Sequence, residues 1–223
     1  MKKDAFILFL KYPERGAVKT RLASLLGDDL TYELYQCFLA DISSMTRQIK
    51  AETIIVYAGP EGVSLTDFPG VQRIPQRGDN IGGRMYNAFV DVFVQGFMRC
   101  VLIGSDSPDL PAELVNDAFD KLDLADVVLG PSADGGYYLI GCKRQSLLPS
   151  IFYDIRWSTA NVFLETIKRI AESGLKFAQL PQWSDIDEFD DLKNFHERNI
   201  NRSATSQVMK FLITREIINE IKS

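Results

Sequence analysis

Four short stretches of the chain, residues 5–10, 53–58, 101–104 and 127–130, are apolar without alternating with polar residues. A strand with one wet face alternates every second residue. Continuous apolar runs therefore mark strands covered on both faces, as in parallel sheets between helix layers. Amphipathic segments separate them. Leu30, Leu34, Phe38, Ile42, Met45 and Ile49 form one stripe at spacings of three and four. Residues 80–97 predict a second helix with Ile81, Met85, Phe89, Val92 and Phe93 inward. A third spans 158–173, capped by Ser158 or Thr159 and stopped by Gly174, and a fourth spans 204–222. A short strand is expected around 177–180. The alternation predicts an α/β fold, an open and mostly parallel sheet with right-handed crossovers and helices on both faces.

At 223 residues the chain suits one domain, and 46% hydrophobic against 25% charged residues can fill its core. No linker or repeat divides it, so residues 1–223 are read as one domain, with its last helix packed outside or joining two copies in a homodimer. No run reaches the roughly 18 apolar residues of a membrane span. The basic start Met1-Lys2-Lys3 leads into an apolar segment that stops at Lys11 without a small-residue cleavage site, as a first strand would rather than a secretory signal. Cys37, Cys100 and Cys142 are odd in number and scattered in apolar contexts. They predict reduced core residues in a reducing, cytoplasmic setting, not a disulfide frame or zinc site. A single histidine, His196, leaves no room for a Ser-His-Asp machine, and a net charge of −5 argues against nucleic acid as a partner.

In open α/β sheets ligands bind beyond the carboxyl ends of the strands. After the first strand comes a loop in which Gly16 permits a tight turn and Lys19 and Arg21 set two cations beside backbone amides. A diphosphate needs such groups; an ordinary solvated loop has them too. It is not a Walker A loop, because Pro13 and Val18 stand where glycines are required. After the strand at 101–104, Ser105-Asp106-Ser107-Pro108-Asp109 presents Asp106 at the crevice, placed to hold Mg²⁺, while Asp109 is expected to cap the helix that follows. In Asp185-Ile186-Asp187 an extended backbone points both carboxylates to one face, which would complete the metal site. Glu188, Asp190 and Asp191 load the first turn of a helix instead. Asp134-Gly135-Gly136 is a hairpin signal that also lets a ligand approach the backbone, and Tyr137 either lines an acceptor pocket or joins the core.

Taken in order, the segments Lys11-x-Pro13-x-x-Gly16-x-x-Lys19-Thr20-Arg21-Leu22, Gln76-Arg77-Gly78-Asp79-Asn80-Ile81-Gly82-Gly83-Arg84-Met85, Gly104-Ser105-Asp106-Ser107-Pro108-Asp109-Leu110-Pro111, Asp134-Gly135-Gly136-Tyr137-Tyr138-Leu139-Ile140-Gly141, Trp157-Ser158-Thr159 and Asp185-Ile186-Asp187 resemble the bacterial GT-A-type family described as radical-SAM/selenodomain-associated transferase 1. They are also similar to 2-phospholactate and molybdenum cofactor guanylyltransferases. The resemblance implies a three-layer αβα, Rossmann-like nucleotide-diphospho-sugar transferase fold. Residues 1–110 would hold the nucleotide and 111–200 the sugar or acceptor, with 204–223 as the C-terminal helix. It implies nucleotide contacts from Gly16, Lys19, Arg21, Gln76, Gly82, Arg84 and Ser105. Asp134, Gly135, Gly136, Tyr137 and Trp157 would lie on the sugar or acceptor side, and Asp106, Asp185 and Asp187 would hold Mg²⁺ or Mn²⁺. Two departures stand out. Asn80-Ile81-Gly82-Gly83-Arg84-Met85 replaces the family's Asp-Leu-Gly-Glu-Arg-Met, and Asp106-Ser107-Pro108 replaces the Asp-x-Asp of GT-A glycosyltransferases.

The expected activity is Mg²⁺-dependent glycosyl transfer from a nucleotide-diphosphate sugar to a small-molecule acceptor, with Lys19, Arg21, Asp106 and Asp134 as the catalytic candidates. One alternative joins a nucleoside triphosphate to a small phosphorylated or carboxylated acid with release of pyrophosphate. Another is a non-catalytic nucleotide sensor.

Overall fold

A computed structural model describes residues 4–60, 62 and 65–217. Seven strands form one sheet in the order β3-β2-β1-β4-β6-β5-β7. The strands are β1 (Asp4–Lys11), β2 (Glu52–Ala58), β3 (Gln72–Pro75), β4 (Arg99–Gly104), β5 (Val127–Pro131), β6 (Tyr137–Lys143) and β7 (Phe177–Gln179). The pairings β1–β2, β1–β4, β2–β3 and β5–β7 are parallel, and β6 runs antiparallel to β4 and β5. The continuous apolar runs have their expected physical basis. Along β1, Phe6, Leu8 and Leu10 enter one core while Ala5, Ile7 and Phe9 enter the other.

The helices are α1 (Thr20–Leu26), α2 (Asp28–Thr46), α3 (Ile81–Val94), α4 (Ala112–Lys121), α5 (Val162–Glu172), α6 (Phe189–Arg198) and α7 (Gln207–Thr214). Side chains of α1, α2, α4, α6 and α7 fill the first core, and those of α3 and α5 fill the second. The result is the three-layer αβα arrangement. No helix among the described residues is long and apolar enough to cross a membrane.

Several local expectations are corrected. The third helix starts at Val162, not at 158, because Ser158 adopts a left-handed backbone (φ 63°) and Thr159 donates to the Arg156 carbonyl at 2.8 Å. A carbonyl of the 132–136 turn closes its first turn instead: Phe163 N donates to Gly135 O at 2.9 Å. Ile81 is 40% exposed, since the first residue of α3 faces the crevice. Asp109 caps nothing. Pro111 occupies the cap of α4, and the Asp109 carboxylate turns away to accept from Arg198 Nε (2.6 Å), Asn199 Nδ2 (2.6 Å) and Trp183 Nε1 (3.3 Å). The last helix is shorter than 204–222: it starts at Gln207 after Ser206, and residues 218–222, like Met1-Lys2-Lys3, lie outside the described residues.

Helix α7 packs on α2 through Val208, Met209 and Leu212. Asp41 of α2 supplies a carboxylate cap to it. Asp41 accepts from Ser206 Oγ (2.6 Å), Gln207 N (2.7 Å) and Val208 N (3.1 Å), satisfying donors that a helix start leaves free. Asp41→Ala leaves these buried donors unpaired, and a loss of about 2–3 kcal/mol is expected in urea denaturation. A loss under about 0.5 kcal/mol would refute this capping role.

Candidate functional site

The carboxyl ends of β1, β2 and β4 open into a cleft of ≈ 900 Å³. Its cationic side comes from the end of β1, the start of α1 with the residue before it, and α3, with Lys11, Lys19, Arg21 and Arg84; its anionic groups are Asp106, Asp134, Asp185 and Asp187.

Asp106 follows β4, and Ser105 beside it is buried and bonded to the Tyr35 hydroxyl at 2.8 Å, which itself donates to the Lys11 carbonyl at 2.9 Å. Tyr35 thus ties the ends of β1 and β4 beneath the cleft; burial foremost, with the Asp106 charge, holds its phenol protonated far above the usual range. The segment after β7 keeps following β5, with Leu180 N on Leu129 O (2.9 Å) and Trp183 N on Pro131 O (3.1 Å). Ile186 N then bonds to Asp106 O at 2.9 Å, and Ile186 is fully buried. Asp185 and Asp187, on either side of it, line the cleft. The Asp187 amide and the Glu188 amide both donate to Asp191 Oδ2, at 3.0 and 2.8 Å, and Glu188 caps α6.

Lys19 joins the two sets of charges. Its Nζ lies 2.5 Å from Asp106 Oδ1 and 2.7 Å from Asp187 Oδ1, and its side chain is 6% exposed against 46% for each carboxylate. Burial pulls the Lys19 pKa down, but the two carboxylates outweigh it and the net shift is upward. Its backbone is left-handed (φ 46°, ψ 46°), a sparsely populated region for a non-glycine residue. Arg21 is 70% exposed and reaches Glu188 at 3.3 Å.

Asp185 is half-buried and accepts from Ser132 Oγ at 3.2 Å. Burial first, then the charges of Asp187, Asp134 and Asp106, raise its pKa to about 6. Since this lies above the unfolded carboxylate value, the folded chain binds the extra proton. That contribution to stability is complete below about pH 4 and is lost as the pH rises through about 6. Asp185→Asn is therefore expected to raise Tm at pH 8 and to converge with the wild type near pH 4. A pH-independent difference would contradict the raised pKa.

Other sequence candidates sort by position. Gln76, Arg84, Ser105, Asp134, Gly136, Tyr137 and Trp157 line the cleft; Gly16, Gly82 and Gly135 do not. Both Nε2 hydrogens of Gln76 are used to bind the carbonyls of Leu10 (3.0 Å) and Val56 (3.2 Å), and Arg84 Nε is held by Gly78 O (3.0 Å). Gly82 is a packing residue: a methyl group there would overlap the Phe152 carbonyl and the Trp157 indole. Gly135 has φ 90°, and a side chain would strike the Ala160 carbonyl. These two glycines let the 152–160 segment close the cleft with Trp157, whose ring meets Tyr137 edge-on at 6.3 Å. Asp134 Oδ1 accepts from Gly136 N at 2.9 Å. Sequence reasoning missed Tyr35 and Ser132. Tyr35 carries no signal beyond its place in a helix; Ser132 stands at the end of an apolar run, where the crevice rule would have found it.

Among the described residues no group of three or more His, Cys, Asp or Glu side chains is arranged to hold a metal ion. Asp106 and Asp187 share the Lys19 ammonium, and two further carboxylates, Asp134 and Asp185, line the same cleft.

A crystal structure of a Desulfovibrio desulfuricans G20 protein, provisionally described as a nucleotide-diphospho-sugar transferase, is 35% identical over 100% of this chain and 98% of that one, with a TM-score of 0.91. A cytidylyltransferase from Leptospira borgpetersenii serovar Hardjo-bovis shares the fold at 12% identity, with 99% and 97% of the chains covered and a TM-score of 0.60. Rv0371c of Mycobacterium tuberculosis H37Rv, solved with manganese, is 15% identical, with 88% and 99% covered and a TM-score of 0.50. No curated protein matches the chain in sequence. The fold is that of the nucleotide-diphospho-sugar transferases, as the ordered motifs imply. Residues 41–159 match the model of a family described as an uncharacterized protein conserved in bacteria, DUF2064, and the chain belongs to that family.

Proposed function

We propose that the chain is a cation-dependent transferase acting on an activated nucleotide, with a nucleotide-diphosphate sugar as donor and a small molecule as acceptor. The observation that carries this is the cleft itself. It sits beyond the parallel strand ends, has a volume suited to a ligand of that size, and sets cations beside a cluster of carboxylates. The Desulfovibrio relative, described in the same terms, supports it.

The donor set suits a divalent cation held partly by the substrate. Mg²⁺ is commonly bound by one or two carboxylates together with phosphate oxygens and water, not in an all-protein cage. Asp106 and Asp187 are such a pair, and the negative charge gathered around them, which adds to burial in raising Asp185, is what a divalent ion would relieve. The manganese in Rv0371c agrees with that choice. The cation, when bound, neutralises charge on the departing phosphate group. The protein groups do the rest. Lys11, Arg21 and Arg84 balance the phosphates on the cationic side, in the half up to residue 110. Tyr137 and Trp157, beyond it, form an aromatic wall for the sugar or acceptor. Asp134, fixed by its bond to Gly136 N and lining the same cleft, is the candidate base.

One feature favours a second reading, nucleotidyl transfer with release of pyrophosphate. The carboxylate that joins Asp106 is Asp187, from a distant part of the chain, and Pro108 stands where an Asp-x-Asp would put its second acid. The cytidylyltransferase shares this fold.

Thermal-shift screening of nucleoside triphosphates and nucleotide-diphosphate sugars, with and without Mg²⁺, tests both. A ligand at about 100 times its Kd stabilises by roughly 2.7 kcal/mol. A Mg²⁺-dependent shift with one diphosphate sugar supports glycosyl transfer and identifies its donor. A shift confined to one triphosphate supports nucleotidyl transfer, and no shift across the panel would overturn both.

A further inference from the structure

We infer that Lys19 is an internal stand-in for the cation: its ammonium and a divalent ion exclude one another between Asp106 and Asp187, and the phosphates of the nucleotide exchange one for the other. This rests on the proposed reading in one respect, that the incoming ligand carries phosphates.

The ammonium takes Oδ1 of both carboxylates, and a hard cation held by this pair would compete for the same oxygens. Two positive groups a few ångströms apart in a half-buried site repel strongly. Burial adds direction. The lysine lies beneath the carboxylates, which keep about half of their surface open to the cleft. A cation arriving from the cleft therefore meets the carboxylates while the lysine fills the space behind them. The pair is a fixed frame, because the Asp106 carbonyl holds Ile186 N and Asp191 holds Asp187 N. The lysine is the part that can move. It follows a loop, precedes the short helix α1, and sits in a left-handed conformation opposed by its own side chain. The other cations lining the cleft are differently engaged. Lys11 Nζ is bonded to the Ala17 carbonyl at 2.7 Å, and Arg21 reaches Glu188. Of the cleft's cations, Lys19 alone has ion pairs to the carboxylates facing it among the described residues.

The consequence is an ordered site. Without nucleotide the ammonium satisfies the carboxylates and free cation binds weakly. Phosphate oxygens give Lys19 an alternative partner, and the cation enters with the nucleotide. A deaminated position should then bind the cation without waiting for the nucleotide.

Mn²⁺ titration followed by paramagnetic resonance of the free ion tests this on wild-type protein and on Lys19→Met. The variant is expected to bind Mn²⁺ about tenfold more tightly than the wild type in the absence of nucleotide; equal or weaker affinity would overturn the exchange. Should the variant not fold, wild-type protein gives a second readout through lysine acetylation mapped by mass spectrometry. Lys19 is expected to be protected without metal and to gain reactivity as Mn²⁺ rises; protection that persists to saturating Mn²⁺ would overturn it. Failure of the transferase reading looks different. If Lys19→Met binds Mn²⁺ more tightly but no nucleotide binds the wild type, the mutual exclusion of ammonium and cation stands, while its release by nucleotide phosphates and the transferase reading fall. If a nucleotide binds with Mg²⁺ but the two affinities for Mn²⁺ are equal, the exchange falls and the transferase reading stands.

Discussion

Asp106→Asn is expected to remove Mg²⁺-dependent nucleotide binding and to lower turnover by about 10²–10³-fold, while leaving the fold intact. The carboxylate is half-exposed at the end of β4, and the contact that binds this residue to the neighbouring segment uses its carbonyl, which the substitution keeps. Asparagine fills the same space and can still accept from Lys19, so the ammonium retains Asp187 as its charged partner. What disappears is one of the two formal charges available to a cation on this pair, in a site where such groups contribute on the order of 10²–10³ to rate. The loss should therefore fall on cation-dependent binding and turnover, with Tm within a few degrees of the wild type. Calorimetry with nucleotide and Mg²⁺, beside a melting curve, separates the two. A variant that keeps wild-type Mg²⁺-dependent nucleotide binding would remove Asp106 from the site.

The strands were legible because burial on both faces leaves a mark that local rules can read, and the runs at 5–10, 53–58, 101–104 and 127–130 fall within β1, β2, β4 and β5. β3 was not legible. It is a four-residue strand at the sheet edge with exposed or half-exposed side chains, so no apolar run marks it. β6 stood inside a motif read for its turn, and its reversed direction follows from the short connection at 132–136, which cannot carry a parallel crossover. At the site, the crevice rule found Asp106, and the period of two found Asp185 and Asp187, whose shared face follows from Ile186 being buried between them. The partner of Lys19 was not legible. A cation in a loop after β1 suggests phosphate. That it meets two carboxylates, one of them 168 residues away, is settled by tertiary packing alone. Asp109 failed for the opposite reason. A local rule offered a cap, and a buried network with more donors won.

That network carries the largest expected effect on stability. Asp109→Ala should destabilise the fold by about 3–5 kcal/mol, the loss typical when one member of a buried ion pair is removed and the others remain. Asp109 is 4% exposed, and its two oxygens accept from Arg198, Asn199 and Trp183, while its carbonyl receives Arg202 at 3.3 Å. Asn199 is itself buried, so its Nδ2 would keep only the Phe195 carbonyl at 2.9 Å, while its Oδ1 still accepts from Arg202 at 3.3 Å. Arg198 would retain the Ser184 carbonyl at 3.1 Å but lose its counter-charge. The network fastens the end of α6 to the turn after β4, and α6 begins at the segment that brings Asp187 to Asp106. Damage should therefore spread from stability to the site. For a chain of this length the loss corresponds to a fall in Tm of roughly 10 °C. Asp109→Asn, which keeps an acceptor for Arg198 and the packing volume, should lose less than half as much. If alanine lowers stability by less than about 1 kcal/mol, the Asp109 network is not what holds α6 in place; if both variants lose equally, the charge of Asp109 alone carries the effect and its acceptor and packing roles fall.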